Sequence, residues 1–589
     1  MDYQAPVKDI RLALQVAGLD AMIADGLLPE VEDGLADAIL EEAGKFASER
    51  IAPLNHIGDK HGAQFTDGRV VMPPGWKETY QDWAEAGWNG LMAEPDFGGQ
   101  GLPQMLQSAC GEMWTAASMA FALGPVLTAG AIEALQTHGS EALKAAYLEK
   151  LVSGAWMGTM NLTEPQAGSD LNALRARAER AGDGSYRIFG QKIFITYGEH
   201  DLTENIVHLV LARLPDAPAG TRGISLFVVP KFIVNPDGSL GPHNDLYCHS
   251  IEHKLGIHAS PTCTMIFGDQ SGAVGYLVGE ENRGLACMFT MMNAARLAVG
   301  IEGVGIADRA FQQALSYARD RKQGRAHGHQ GEGMSPILDH PDIRRMLLLM
   351  RAQTEAARLI CFLTAEALDR AHRETDEGKR KQASDRAALL TPIAKAYSTD
   401  IGIEMSSLGV QVHGGMGFVE ETGAAQHWRD SRIAAIYEGT NGIQAIDLVT
   451  RKLPLQDGAV MRAQLESMTQ VIDEVGRSNH PAFGETAQRL REAVAALETA
   501  TDYMLAHVKD QPQQALAGAT PYLRLFGVTQ GGVALAKRGL VAAQAGDGEA
   551  EIVLARFFAA HVTSEAQGLG RTVTDGAEAL AAGFAALAS

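Results

Sequence analysis

The chain has 589 residues, with 50 Lys and Arg against 71 Asp and Glu, a formal net charge of −21. That balance, with no Lys/Arg-rich block, disfavours a protein that binds nucleic acid by neutralising phosphates, and 46% apolar with 21% charged residues excludes a disordered chain. At about 100 to 200 residues per domain, the length predicts roughly three to five domains' worth of chain.

The first residues, MDYQAPVKDIRLAL, lack the basic, apolar, small-residue order of a signal peptide. The cluster from Met346 to Met350 falls far short of the roughly 20 apolar residues that cross a bilayer, so no integral membrane segment is expected. Cys110, Cys248, Cys263, Cys287 and Cys361 are scattered singly, which supports neither a disulfide framework nor a thiolate zinc site and suits a reducing, cytoplasmic compartment.

From Leu12 to about Gly154 apolar residues recur at helical spacing, interrupted by the Gly/Pro loop EPDFGGQGLP at Glu94 to Pro103. After Trp156 the segments are short, β-branched and aromatic: Tyr186 to Phe189, Lys192 to Thr196, Ile206 to Ala212, Ile224 to Val229 and Cys263 to Phe267. They predict an all-β unit. Helical spacing returns at Gly284, with long helices over Ala286 to Tyr317, Pro341 to Arg370 and Ser384 to Leu408, and an Ala-rich helical segment follows from about Leu455. The fold class is therefore α+β, in four units: an N-terminal helical domain over 1–155, a central β-barrel-like domain over 156–283, a helical bundle over 284–455 and an extra C-terminal helical domain over 456–589.

Glycine is abundant, 64 of 589 residues against a usual ~7%. Gly300, Gly303 and Gly305 in LAVGIEGVGIAD have no preceding strand and so do not make a dinucleotide fingerprint; close helix packing is expected. Gly414, Gly415 and Gly417 in QVHGGMGF suit either backbone approach to a phosphate or an interhelical turn. In NLTEPQAGSD, Gly168 and Ser169 suit an anion-cradling turn. In IAAIYEGTNGIQ, Glu438 follows apolar residues; burial there would raise its pKa towards that of a general base, whereas the plainer reading is a turn at a helix start. His327, His329 and His340 lie in or near a polar loop without the spacing of a metal site.

TEPQAGSD at the start of the β unit, KIFIT within it and IYEGTNGIQ near the end of the bundle, in this order, resemble the acyl-CoA dehydrogenase family. MDYQAPVKDIR, EMWTAASMAFALGP, HKLGIHASPT and HPDIRRMLLLMRA, with the C-terminal extension, are similar to its long branch. The resemblance implies FAD, an electron-transferring flavoprotein as acceptor and a homodimer. It implies 3-methylmercaptopropionyl-CoA or a similar short to medium acyl-CoA as substrate, with a general fatty acyl-CoA dehydrogenase of β-oxidation or an acyl-CoA oxidase as alternatives. Glu438 would take the α-proton as a hydride leaves the β-carbon for the flavin.

For FAD the resemblance implies Leu162 and Thr163 at the pyrimidine edge, Gly168 and Ser169 at the pyrophosphate, and Phe194 and Thr196 at the ring. Thr440 would touch the same cofactor, while Arg321, Gln411, Gly414 and Gly415 would reach the cofactor of a neighbouring subunit. Asn293 and Arg296 would meet the pantetheine arm, with Ser169, Tyr437 and Gly439 also facing substrate. Ala295 stands where some relatives carry the base, before Arg296. Pro341 and Gly442 occupy positions where relatives have Gln.

Overall fold

The computed structural model describes residues 3–546 and 548–588, and the side chain of Asn293 falls outside that description. The helical N-terminal part includes two helices that meet the site region, α1 (Gln104–Ala117) and α2 (Met119–His138). It also contains a hairpin that helical spacing does not reveal, Gln64–Thr66 paired with Arg69–Val71. Asp67 and Gly68 both take positive φ there, 50° and 77°, as a tight hairpin turn requires, and Val70 points into the core.

The central unit is an eight-stranded sheet. Its strands are β1 (Trp156–Asn161), β2 (Arg177–Arg180), β3 (Tyr186–Thr196), β4 (Asn205–Arg213), β5 (Ile224–Pro230), β6 (Leu246–Ile251), β7 (Thr262–Phe267) and β8 (Ala273–Val278). The order is β6-β7-β3-β8-β5-β4-β1, with β2 pairing β3 and β4. β1 and β4 run parallel, Trp156 opposite Asn205, and both are buried along their length apart from Arg213. The two runs expected at 186–189 and 192–196 are one strand. Its register against β7 slips by one residue, with Lys192 opposite Met265 and Ile195 opposite Cys263. Phe194, at φ 59°, is the extra residue of that bulge, and the bulge turns its ring outward.

The bundle consists of α3 (Gly284–Asp320), α4 (Pro341–Arg373) and α5 (Glu377–His413). The Asp376 carboxylate caps α5 by accepting from the Lys379 amide at 2.8 Å. Helices α3 and α5 cross closely because a Cβ on Gly300 would lie 2.4 Å from the Ala394 carbonyl oxygen and one on Gly303 2.2 Å from that of Ser398; these glycines serve packing, as expected. A short helix, α6 (Asn441–Asp447), follows the loop that carries Glu438. Helices α2 and α3 are long and apolar enough to cross a membrane, longer than the sequence reading allowed. Most of α2 is packed inside the protein, and α3 carries buried Arg296, Glu302 and Asp308.

The C-terminal helices include α7 (Ala519–Gln544). Its Arg538, buried, donates to Glu355 of α4 at 2.7 Å, to Glu551 at 2.7 Å and to Asp9 at 3.1 Å. Glu355 also pairs with Arg351 at 3.0 Å and with Arg358, and these cations hold its carboxyl well below the ordinary carboxylate range although burial opposes them.

Candidate active site

The sequence-predicted residues fall into three groups. The first lies on the sheet. Leu162 and Thr163 leave β1, and the Thr163 carbonyl accepts from the Ile193 amide at 2.9 Å. Beneath them Lys192, fully buried, donates to the Leu162 carbonyl at 3.0 Å and to the Glu164 carboxylate at 2.8 Å. Glu164 in turn accepts from the amides of Arg175 at 2.7 Å and Ala176 at 2.9 Å. This buried pair fixes the TEPQAGSD turn, so that Gly168 and Ser169 emerge at the surface with nothing near a Cβ on Gly168. Thr196 is half-buried, and Phe194, 58% exposed, presents a bare ring on the bulge. An uncovered aromatic face beside two threonines and an open glycine turn fits a flavin.

The second group surrounds Glu438. This residue adopts φ 55° and Gly439 φ 85°, an unusual left-handed pair held from two sides. The buried Lys395 of α5 donates to the Gly439 carbonyl and to the Asn441 side-chain oxygen, both at 2.9 Å. Thr440 caps α6 by accepting from the Ile443 amide at 3.2 Å. Asn441 donates to Ala396 O at 3.1 Å and Asp400 at 2.7 Å. Arg296 on α3 is buried, with a guanidinium nitrogen 3.9 Å from Asp447. Burial pushes the Glu438 carboxyl up, against Arg296 and Lys395, which lower it. Burial also brings Lys395 down to about 8, against the attraction of Glu438 and Glu302. Tyr437 is half-buried and donates its hydroxyl to Glu302.

The third group is separate. Arg321 ends α3, 25 residues beyond Arg296, which at 1.5 Å per residue is about 37 Å along the axis. Gln411, Gly414 and Gly415 lie at the C-terminal end of α5, exposed, and a Cβ on either glycine would meet nothing. Pro341 occupies the first turn of α4, and Gly442 lies in the first turn of α6. Asn293 lies on α3, its side chain outside the described residues.

Sequence reasoning missed Lys192, Glu302 and Lys395. Their signal was a charged residue embedded in an apolar run, as in LAVGIEGVGIA and LLTPIAKAY.

Four family models match in chain order: the acyl-CoA dehydrogenase N-terminal domain over 36–155, its middle domain over 159–270, its C-terminal domain over 282–453 and the acetyl-CoA dehydrogenase C-terminal-like domain over 464–582. The chain is 48% identical over 588 residues to a 3-methylmercaptopropionyl-CoA dehydrogenase from Ruegeria pomeroyi, covering 98% of this chain and 99% of that one. It is 35% identical over 517 residues to a butyryl-CoA dehydrogenase from Syntrophomonas wolfei, covering 86% and 84%. Its fold matches an acyl-CoA dehydrogenase complexed with FAD from Bacillus anthracis at a TM-score of 0.74 and 21% identity, covering 93% and 89%. The chain belongs to the acyl-CoA dehydrogenase family, FAD-dependent oxidoreductases that act on acyl-CoA thioesters.

Proposed function

We propose that this protein dehydrogenates 3-methylmercaptopropionyl-CoA, or a similar short to medium acyl-CoA, to the trans-2-enoyl thioester with Glu438 as base. The observation that carries the assignment of the base is the loop itself: a carboxylate on left-handed backbone, with its pKa raised by burial, flanked by Arg296 and Lys395. Glu438 takes the α-proton, and the electron pair of that C–H bond forms the new double bond as the β-hydrogen leaves as hydride. FAD, when bound, supplies the hydride acceptor. Proton loss beside a thioester needs a donor at the carbonyl oxygen. The Glu438 amide N–H, which has no partner among the described residues, is suited to that role.

Phe194, Thr163, Thr196, Leu162, Gly168 and Ser169 would hold the flavin and its pyrophosphate, with Thr440 close by. Arg296 and Asn293 would meet the pantetheine arm, and Ser169, Tyr437 and Gly439 would line the acyl side. Arg321, about 37 Å from Arg296 along α3, together with Gln411, Gly414 and Gly415 at the end of α5, suits the cofactor of a second copy and supports a homodimer. An electron-transferring flavoprotein in the cytoplasm would take the electrons. The substrate assignment draws on the 48% identity across nearly the full length of both chains.

The test is anaerobic flavin reduction across a series of acyl-CoAs that includes the methylthio compound. The methylthio substrate should give the highest kcat/KM, and Glu438→Gln should retain FAD but lose reduction. Normal reduction in that variant would remove Glu438 as the base. A clear preference for long acyl chains would replace the substrate.

A further inference from the structure

Glu302 sits on α3 seven residues beyond Ala295, close to two full turns, and therefore on the same helix face. Its carboxyl group is buried. One oxygen accepts the Tyr437 hydroxyl, and the other, Oε1, is buried without a hydrogen-bond partner among the described residues. Gly300 and Gly303 set this stretch of α3 against α5 with no room for a methyl group, which brings Glu302 close to the α5 residue Lys395.

The titratable groups that face Glu302 are Tyr437 and Glu438 from the loop and Lys395 from α5. Lys395 is shared with Glu438 and Asp400 and also faces Arg296, while Arg296 faces Asp447, Glu438 and Arg451. The two carboxyl groups are therefore unequal. Glu438 has two cations lowering its pKa, whereas Glu302 has a phenol donor and a cation claimed by others. Ionising one of two neighbouring carboxyls disfavours ionising the other, and burial pushes Glu302, the less well compensated of the two, up to about 8.

We propose that Glu302 is a positioning residue for the base: it stays protonated at neutral pH, holds Tyr437, and leaves Glu438 as the ionised member of the pair. The inference rests on the reading of Glu438 as base. Were Glu302 charged instead, its repulsion would raise the proton affinity of Glu438 and keep the base occupied at neutral pH.

Infrared difference spectra of the FAD-loaded protein at pH 7 test this directly. The expected result is a carboxylic-acid C=O band in the wild type that is missing from Glu302→Gln and that titrates away in the wild type near pH 8. In the pH profile of flavin reduction, the acid limb of Glu302→Gln should stay within about 0.3 pH units of wild type, because a neutral amide replaces a neutral acid. A band of equal intensity in both proteins, or an acid limb lower by about one unit or more, would overturn the proposal. Tyr437→Phe, which keeps the carboxyl but removes its hydrogen bond, should shift the band in frequency; an unmoved band counts against the proposal even if Glu302→Gln does not fold. Flavin reduction surviving in Glu438→Gln would refute the base and leave the infrared result standing.

Discussion

The ammonium of Lys395 and the carbonyl oxygen of Gly439 lie 2.9 Å apart, so a cation buried in the helical bundle ties down the residue that follows Glu438. The same ammonium reaches Asn441, and the left-handed backbone at 438 and 439 is thereby gripped at its downstream end. Lys395→Met keeps the length of the side chain and removes the grip. Flavin reduction by substrate should slow by about 10²-fold or more, the scale on which small misplacements of a reacting group act, while FAD stays bound. Stopped-flow absorbance reads this, and an unchanged rate would show that the loop holds its shape without Lys395.

Lys192 and Glu164 form an ion pair with almost no solvent access. Lys192→Met leaves a carboxylate buried with no cation and with the Arg175 and Ala176 amides and the Gln166 side-chain amide as its remaining donors. Stranding one partner of such a pair costs about 3–5 kcal/mol, which equilibrium denaturation should register together with weaker FAD retention. Adding Glu164→Gln should restore much of the stability. If the double variant is no more stable than the single one, the cost lies in packing and not in charge.

Glycine to alanine should give opposite results at two positions. At Gly303 the new Cβ would lie 2.2 Å from a carbonyl oxygen of α5, so the helices must separate and the melting temperature should fall steeply. At Gly415 the Cβ meets nothing within the chain, so the melting temperature of the apoprotein should be unchanged and any effect should appear in FAD binding. Loss of FAD affinity at Gly415 without loss of stability identifies a cofactor contact; equal behaviour at both positions rejects it.

These glycines show what sequence could and could not convey. Helix-forming stretches, the β unit and the Gly300/Gly303 packing were legible because periodicity and composition are local. The loop at Glu438 was legible because its residues are contiguous. The Asp67–Gly68 hairpin was hidden because two three-residue strands carry too little pattern. Lys395 and Glu302 were hidden for a different reason. Their roles come from the crossing of α3 and α5, between residues about 90 positions apart, and no local pattern records which helices cross.

His208 is buried in the sheet, where its Nδ1 accepts from the Asn161 side-chain amide at 3.1 Å, and burial holds its pKa down to about 3. The unfolded chain, with an ordinary value near 6.5, takes up a proton first as pH falls. Stability from this residue is therefore complete above about pH 6.5 and is lost progressively from there towards pH 3. At pH 5 the loss is about 2 kcal/mol. His208→Gln should show a shallower decline in unfolding free energy between pH 7 and 5 than the wild type; parallel declines would place the acid sensitivity elsewhere.

The arginine that α7 sends into the bundle bears on how the molecule comes apart. Arg538 closes a circuit in which Glu355 is shared by Arg351, Arg358 and Arg538, while Asp9 joins from the helix Val7–Ala17 at the start of the chain. Detaching the C-terminal helices takes Arg538 away from Glu355 and Asp9, while Glu355 keeps Arg351 and Arg358, so partial unfolding carries an electrostatic cost from its first step. The extension is thus tied through Arg538 to α4 and to the start of the chain, and a chain ended near residue 455 would lose both ion pairs and expose the face of α4 that α7 covers.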